Sequence, residues 1–325
     1  YAPDGVYENF KGVSSNPCGE IFLGPFDSCR LIHINLSSYI VDPFTDKAHI
    51  DEELLYMHSY EAMRLADDLV DLEIEAVDKI IDTVKNDTDD TEFKLWSKIK
   101  ETAIQGRRAG LGFTGLADAI AMLGLKYDSD EGISQVEQLM KVMFKGQLDS
   151  NIDMAIERGA FIANEPSVES VIIGERSNDW YNWLAMNYPT EYKRMMNYGR
   201  RNISWSTVAP TGTVSIMAGT SSGIEPVFMP FYQRKRKCMS ESDRVDYVDK
   251  VGEKYTLFTV VHPNLKRWAI ETMNYSESEV NEWSIGVWKE VWKESPYYGS
   301  TAPEIDWRQR VKLQGVVQKY ITHSI

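Results

Sequence analysis

The segment Ser14-Ser15-Asn16-Pro17-Cys18-Gly19-Glu20 is the stretch on which the interpretation of the whole chain depends. Proline fixes φ and glycine allows conformations closed to other residues, so the segment is predicted to be a loop. If the loop is extended, residues two apart point the same way, and Asn16, Cys18 and Glu20 share one small volume. A carboxylate can take up a proton, and a thiol can act as a nucleophile, a ligand or a one-electron centre. The alternative is a small buried cysteine in a tight turn.

The composition is that of a globular protein. The chain has 325 residues, of which 43% are hydrophobic and 26% charged, enough for one large domain or two small ones. Its net charge of -14 argues against broad binding of nucleic acids or anionic membranes. The sequence has no run of about 18 apolar residues, so no membrane span is predicted. The three cysteines, Cys18, Cys29 and Cys238, are too few for a disulfide scaffold and indicate a reducing, cytoplasmic compartment.

Hydrophobic periodicity predicts alternating helices and strands, as in an α/β protein. Predicted helices cover 51–87, 93–104, 116–123, 133–157, 214–218, 280–291 and 305–320. Predicted strands cover the start of 29–41, then 202–208, 231–238 and 255–261, while 164–198 is predicted to form loops and short helices.

A second motif, Ala209-Pro210-Thr211-Gly212-Thr213-Val214-Ser215, follows the predicted strand 202–208. A strand, a turn of small residues and a helix start together make an anion site, because backbone N–H groups at a helix start point at the anion. The side-chain hydroxyls of Thr211, Thr213 and Ser215 add further hydrogen-bond donors. The motif is not a Walker loop, since no Gly-Lys pair follows. A plain helix cap is the alternative.

Two further stretches are less specific. Gly110-Leu111-Gly112-Phe113-Thr114-Gly115 has the glycine spacing of a dinucleotide loop but lacks a clear preceding strand, so close backbone packing before the helix 116–123 is favoured. Phe231 to Cys238 holds a dense basic cluster, which could hold phosphates or a partner but is more commonly a solvated charged strand.

Three motifs in this order resemble the catalytic subunits of ribonucleotide reductases. Asn16-Pro17-Cys18-Gly19-Glu20 is similar to the family's finger loop. Residues 209–215, followed by Ser222-Gly223-Ile224-Glu225-Pro226, are similar to its substrate phosphate loop, and 110–118 to a third motif. The resemblance implies an α/β fold, the second half of a ten-stranded α/β barrel with the finger loop (14–20) threaded through its middle. Residues 1–325 would form one partial barrel domain, truncated at both ends, either as a fragment or as one piece of a split protein.

The resemblance also implies roles for individual residues in reducing ribonucleotides to 2′-deoxyribonucleotides. Cys18 would become a thiyl radical and remove the 3′-hydrogen, Glu20 would take the 3′-hydroxyl proton, and Asn16 would bind ribose hydroxyls. Cys29 would be one member of the reducing dithiol, whose partner lies in the N-terminal half of the subunit. The residues expected to bind substrate are Ser14, Ser15, Pro210, Thr211, Gly212, Thr213 and Val214.

The partners follow from the same resemblance. The motif with Pro17 and Gly19 resembles the adenosylcobalamin-dependent class more than the iron-dependent class. A thioredoxin- or glutaredoxin-type reductant, a ribonucleoside di- or triphosphate, the N-terminal half of the subunit and a homodimer are implied. An iron-dependent subunit and a non-catalytic nucleotide-binding piece that needs a companion chain remain alternatives. No metal site is predicted, because Cys18, Cys29 and His33 lack a fourth zinc ligand. A Cys18–Cys29 disulfide would destroy the radical centre, and Cys238 is interpreted as a bystander.

Overall fold

The computed structural model describes residues 3–87, 89–165 and 179–325, which form an α/β structure. The strands are β1 (Ser14–Ser15), β2 (Phe22–Leu23), β3 (Leu31–Asn35), β4 (Ile40–Val41), β5 (His49–Ile50), β6 (Gly110–Thr114), β7 (Phe231–Lys237), β8 (Tyr247–Val248) and β9 (Lys254–Val261). The helices are α1 (Glu52–Val84), α2 (Thr91–Gly106), α3 (Leu116–Met122), α4 (Asp130–Arg158), α5 (Asp179–Asn187), α6 (Pro189–Tyr198), α7 (Gly212–Ala218), α8 (Pro263–Met273), α9 (Glu277–Asn281), α10 (Ile285–Val291) and α11 (Trp307–Gln318).

A set of parallel strand segments lies at the centre of the fold. β3 and β6 pair in parallel, and Leu111 of β6 forms a parallel bridge to Ser206. The next segment continues the pattern, because His323 N–H donates to Ser206 O over 2.9 Å and Val208 N–H donates to Ser324 O over 3.1 Å. Each segment is separated from the next by helices, as parallel pairing requires. The predicted strand 202–208 is therefore present as an extended, hydrogen-bonded segment with one bridge rather than a long ladder.

Long amphipathic helices cover this sheet. α1 and α4 pack along each other, and their buried faces include Leu55, Met63, Leu139 and Met143. The side chain of Asp51 caps the start of α1 by accepting from Leu54 N–H. Helix α4 begins three residues before the predicted start at 133, where the side chain of Ser129 accepts from Gly132 N–H. The methionines Met140, Met143 and Met154 of α4 are buried in the core.

A buried ionic network ties α1 to the segments that lead into two central strands. Asp67 on α1 is fully buried and accepts from Arg107 Nε over 2.7 Å and from Arg201 Nε over 2.9 Å. The Asn202 amide donates to the same carboxylate over 3.0 Å. Because Arg107 precedes β6 and Arg201 precedes the 204–208 segment, one carboxylate fixes the approach of both strands to the helix.

Two predictions of local structure are wrong. The single helix predicted over 280–291 is two helices, α9 and α10, because Ser284 accepts from Val287 N–H and starts a new helix. Ser276 and Glu279 form a capping box at the start of α9. Residues 110–114, where the sequence predicts no strand and favours close backbone packing, form the strand β6, which is buried throughout.

The remaining elements agree with the sequence in type. β7 is a largely exposed strand that pairs antiparallel with β9, which confirms a solvated charged strand. Two of its cations lie over aromatic rings, Lys235 over Tyr247 and Arg236 over Phe258. Short helices α5 and α6 occupy the end of the predicted 164–198 region, of which residues 166–178 lie outside the described residues. Within the described part of the chain, no helix combines the length and the apolar character that crossing a membrane requires.

Candidate active site

The finger loop is a tight hairpin turn. β1 and β2 pair antiparallel, with Ser14 opposite Leu23 and Ser15 opposite Phe22. The Asn16 side chain closes the turn, because its Oδ1 accepts from Gly19 N–H and from Ile21 N–H, each over 3.1 Å. Gly19 has φ of 88°, a left-handed value that favours glycine. The prediction of a loop is confirmed, but the loop is not extended.

This turn separates side chains that an extended loop would align. Cys18 is exposed at the tip, whereas Glu20 is buried, with 3% of its surface exposed. The interpretation that Asn16, Cys18 and Glu20 point the same way by simple alternation is therefore wrong. The reason is that the Asn16 side chain bonds the turn backbone and reverses the chain within these residues.

The backbone of Glu20 connects the finger loop to two central segments. Its carbonyl oxygen accepts from Thr207 Oγ1 over 2.9 Å and from Ser324 N–H over 3.0 Å. Thr207 lies two residues before the phosphate loop, 209–215. The structure thus brings the first motif and the start of the second motif together, although they are far apart in sequence.

Cys29 lies beside the same segments. A Cβ atom on Gly110 would stand 2.8 Å from Cys29 Sγ and 3.1 Å from Thr207 Cγ2, so the thiol packs against a bare stretch of β6. Burial raises the pKa of the Cys29 thiol to about 12, and the Arg108 and Arg30 charges oppose this only in part. At neutral pH Cys29 is therefore a protonated thiol, suited to donating hydrogen rather than to attacking as a thiolate.

His33 is a residue that sequence reasoning considered only as a zinc ligand. It lies opposite Gly112 in the β3–β6 ladder, and a Cβ atom on Gly112 would be 3.2 Å from its Cδ2 atom. Burial lowers the pKa of His33, and the negative charge of the Glu20 carboxylate opposes this shift. The signal in the sequence is a titratable side chain inside the apolar strand Leu31–Asn35.

The phosphate loop contains the predicted helix start. α7 begins at Gly212, and its first helical hydrogen bond runs from Ser215 N–H to Thr211 O over 2.7 Å. The N–H groups of Gly212, Thr213 and Val214 precede that bond, so the helix itself does not use them. All three residues are exposed, as is Pro210.

The hydroxyl groups of the phosphate loop are less available than the sequence suggests. Thr211 is buried in a left-handed conformation with φ of 54°, and its Oγ1 accepts from Gly223 N–H over 2.8 Å. Ser215 Oγ donates to Gly212 O over 3.0 Å. Of the three hydroxyls, that of Thr213 is on the exposed side. Backbone N–H groups are therefore the main donors that this loop offers to an anion.

The third motif, residues 110–118, positions the turn to which the phosphate loop is bonded. Asp118, at the end of the motif, is fully buried and accepts from Ser221 N–H, His262 Nε2 and Tyr297 Oη over 2.7, 2.6 and 2.7 Å. Burial disfavours its ionised form, but the charge and hydrogen bond of His262 with the other donors hold the pKa of Asp118 below its usual value. Asp118 thus fixes the Ser221–Gly223 turn, to which Thr211 is bonded. Asp118 therefore has a positioning role. The glycine-containing residues 110–114 of the same motif form the strand β6 and not a dinucleotide-binding loop.

Gly112→Ala is expected to destabilise the fold by about 1–3 kcal/mol, because a new methyl group would overpack the core. Its Cβ atom would lie 2.4 Å from Thr207 O, a backbone atom that cannot swing away. Urea unfolding followed by circular dichroism measures the change. The matched control is Gly315→Ala on α11, where a Cβ atom meets nothing within 4 Å and helix propensity favours alanine by up to about 1 kcal/mol. Equal stability changes in the two variants would contradict the packing argument.

Comparisons with known proteins identify one family. Residues 9–325 match the family described as "Ribonucleotide reductase, barrel domain". The vitamin B12-dependent ribonucleoside-diphosphate reductase of Thermoplasma acidophilum is 30% identical over 312 residues, which cover 96% of this chain and 33% of that protein. The protein of the same name from Mycobacterium tuberculosis is 31% identical over 221 residues, covering 68% and 25%. The chain therefore spans a third or less of the length of these curated relatives.

A solved structure shows the same fold. The alpha subunit of a class Id ribonucleotide reductase from Actinobacillus ureae superimposes with a TM-score of 0.59 at 16% identity, covering 99% of this chain and 48% of that one. The predicted α/β fold of the ribonucleotide reductase barrel is confirmed. With residues 9–325 matched, this chain belongs to the ribonucleotide reductase barrel-domain family.

Proposed function

We propose that this chain is part of the catalytic subunit of a ribonucleotide reductase and supplies the radical cysteine, a proton acceptor and the substrate phosphate loop. One observation carries the proposal: Glu20 O accepts from Thr207 Oγ1, which joins the finger loop to the segment that enters the phosphate loop. The curated relatives named above are ribonucleoside-diphosphate reductases, which supports a diphosphate as the substrate. The free cysteines are consistent with a cytoplasmic enzyme.

The substrate would bind by its two ends. Its phosphates would accept from the backbone N–H groups of Gly212, Thr213 and Val214, beside Pro210 and Thr211. Its ribose would extend towards the finger loop, where Ser14 and Ser15 form the exposed strand β1. Because Asn16 Oδ1 is used within the turn, its Nδ2 group is the part of the amide that would donate to a ribose hydroxyl.

The proposed reaction starts at Cys18. A sulfur-centred radical there would remove the 3′-hydrogen of the ribose, a nearly balanced exchange of an S–H bond for an activated C–H bond. Glu20 would take the 3′-hydroxyl proton while the 2′-hydroxyl leaves as water. Closing this chemistry to solvent requires that the exposed Cys18 be covered, which we assign to the companion part of the subunit.

The electrons would come from a dithiol. Two thiols become one disulfide and supply two electrons and two hydrogens, which balances the loss of the 2′-oxygen as water. Cys29 would be one of the two thiols, and its protonated state suits hydrogen donation. Its partner would lie in the companion segment. A thioredoxin- or glutaredoxin-type protein would then reduce the disulfide, and the complete subunit is proposed to be a homodimer.

Adenosylcobalamin is the proposed radical source, supported by the names of the curated relatives. The residues present fit such a group at one point: the Cys18 thiol is exposed at the tip of a hairpin, where a large cofactor can approach the sulfur. When bound, the cofactor supplies the radical that Cys18 receives. Within this chain, the turn that Asn16 closes leaves the Cys18 thiol exposed, whereas Glu20 is buried.

Binding of a ribonucleoside diphosphate tests the phosphate loop. Calorimetric titration of the chain, with and without its companion segment, is expected to show binding that Thr213→Pro weakens about ten- to a hundred-fold, the worth of one charge-assisted hydrogen bond. Proline at the second helical position removes an N–H that α7 does not use, so the helix should persist. Thr213→Ala, the control, removes only the hydroxyl and should cost less. Absence of binding in both preparations would remove the phosphate-loop assignment and the reductase proposal with it.

A further inference from the structure

The buried polar atoms that have no hydrogen-bond partner among the described residues include Glu20 Oε2 and His33 Nε2. Leaving such an atom unsatisfied is unfavourable, and more so for a charged group. A native fold tolerates two of them where a ligand or water completes the bonding. The pair therefore indicates a small polar site next to the finger loop.

Contacts of Thr207 and Gly112 bring the Glu20 backbone and the His33 ring to the same stretch of the central sheet. Glu20 O is bonded to Thr207 Oγ1, and Thr207 O lies 2.4 Å from where a Cβ of Gly112 would stand. The His33 ring lies on the other side of that position, 3.2 Å away at Cδ2 and 3.5 Å at Nε2. The absent side chain of Gly112 thus creates the space that the imidazole occupies.

Burial favours the neutral form of His33. Burial lowers the pKa of His33, and Glu20, the charge that acts on it among the described residues, opposes the shift without reversing it. A neutral imidazole with hydrogen on Nδ1 has an acceptor at Nε2. Cys29, which the Glu20 charge also reaches, stays protonated at neutral pH and does not add a negative charge.

We propose that His33 is the proton-exchange partner of Glu20. This inference rests on the proposed function. A water molecule, which has a hydrogen for each acceptor, would bridge Glu20 Oε2 and His33 Nε2. The proton that Glu20 takes from the substrate hydroxyl then passes through this water to His33 Nε2, which leaves a deprotonated substrate oxygen, a carboxylate and an imidazolium, with no change in electrons. The proton returns by the same route. His33 acts through Glu20, so it is a positioning residue for the proton rather than a group that attacks substrate.

The first test measures the coupling without any turnover. In the 325-residue chain, the histidine ring signals are titrated by NMR, with His33→Gln identifying the His33 signal. Glu20→Gln is expected to shift the His33 titration to lower pH, since the opposing charge is lost. Glu241→Gln on an exposed loop is the control and should leave it unchanged. Coupling is reciprocal, so His33→Gln followed through the Glu20 carboxyl signal gives the same measurement if Glu20→Gln does not fold. An unchanged titration in either direction overturns the proposal.

The second test separates a proton role from simple packing. In the complete catalytic subunit, His33→Gln keeps a polar side chain of similar size but cannot change protonation. We expect kcat to fall on the order of ten-fold or more, with KM for the nucleotide nearly unchanged and the pH dependence of kcat altered. Equal kcat and an unchanged pH profile overturn the proposal. Failure of the wild-type subunit to reduce ribonucleotides would instead reject the proposed function, and the NMR coupling would still report on the pair.

Discussion

Cys18→Ser in the complete catalytic subunit is expected to abolish ribonucleotide reduction while leaving the fold and nucleotide binding intact. The serine hydroxyl is nearly the same size as the thiol, but its O–H bond is too strong to be exchanged for the C–H bond of ribose. Cys18 is exposed at the hairpin tip, and the turn is closed by Asn16, so the substitution removes no contact that stabilises the structure. Surface changes of this kind usually alter stability by less than about 0.5 kcal/mol.

Three measurements make this expectation specific. Turnover of the wild type and of Cys18→Ser gives the effect, calorimetry with the nucleotide confirms that the phosphate loop still binds, and Cys238→Ser provides a matched control. Cys238 directly follows β7, outside the finger loop and the phosphate loop, and its replacement should leave turnover unchanged. Cys29→Ser removes a proposed reductant and leaves the radical centre in place, so its effect on turnover should differ from that of Cys18→Ser. Reduction by Cys18→Ser at more than about a hundredth of the wild-type rate would reject the radical assignment, since loss of a covalent participant costs far more.

Local chemistry explains why much of the fold could be predicted from the sequence. The N-cap of α1 at Asp51 and the capping box at Ser276 are set by residues within one turn of the helix that they start. The strand β6 could not be recognised in this way. It is buried on both faces, so it lacks polar alternation, and its two glycines reflect neighbours that are distant in sequence: Cys29 beside Gly110, and Thr207 beside Gly112.

The candidate site shows the same division. The motif identified Cys18 and Glu20 as candidates, but their different exposures depend on how Asn16 bonds the turn, which spacing alone does not specify. The proposed pairing of His33 with Glu20 depends on the register of β3 against β6 and on the contact of the Glu20 backbone with Thr207. Both are long-range consequences of the sheet. A sequence therefore indicates which residues carry chemistry more readily than which of them face each other.

The buried network around Asp67 leads to the largest expected change in stability. Asp67→Asn should lower the free energy of unfolding by about 3–5 kcal/mol, the usual cost of breaking a buried ion pair by removing one partner. Asp67 is fully buried, and its carboxylate is bonded to both Arg107 and Arg201. Arg107 keeps a second partner in Asp71, but Arg201 loses its carboxylate. Urea unfolding at neutral pH measures the loss. The matched control is the next residue, Asp68→Asn, whose partly exposed bond to Arg158 should contribute less than about 1 kcal/mol.

The Asp67 carboxylate should also make the fold less stable as the pH is lowered into the acid range. Burial disfavours its charge, but the hydrogen bonds and charges of Arg107 and Arg201 outweigh burial and hold the pKa of Asp67 below its usual value. A group whose pKa is lower in the folded state stabilises the fold above its unfolded pKa, about 3.9, and loses that contribution as the pH falls through its folded pKa. The difference between wild type and Asp67→Asn should therefore be constant near neutral pH and shrink below about pH 4. A difference that stays the same down to pH 2, or that equals the Asp68→Asn effect at pH 7, would mean that the network does not hold the strands to α1 through this charge.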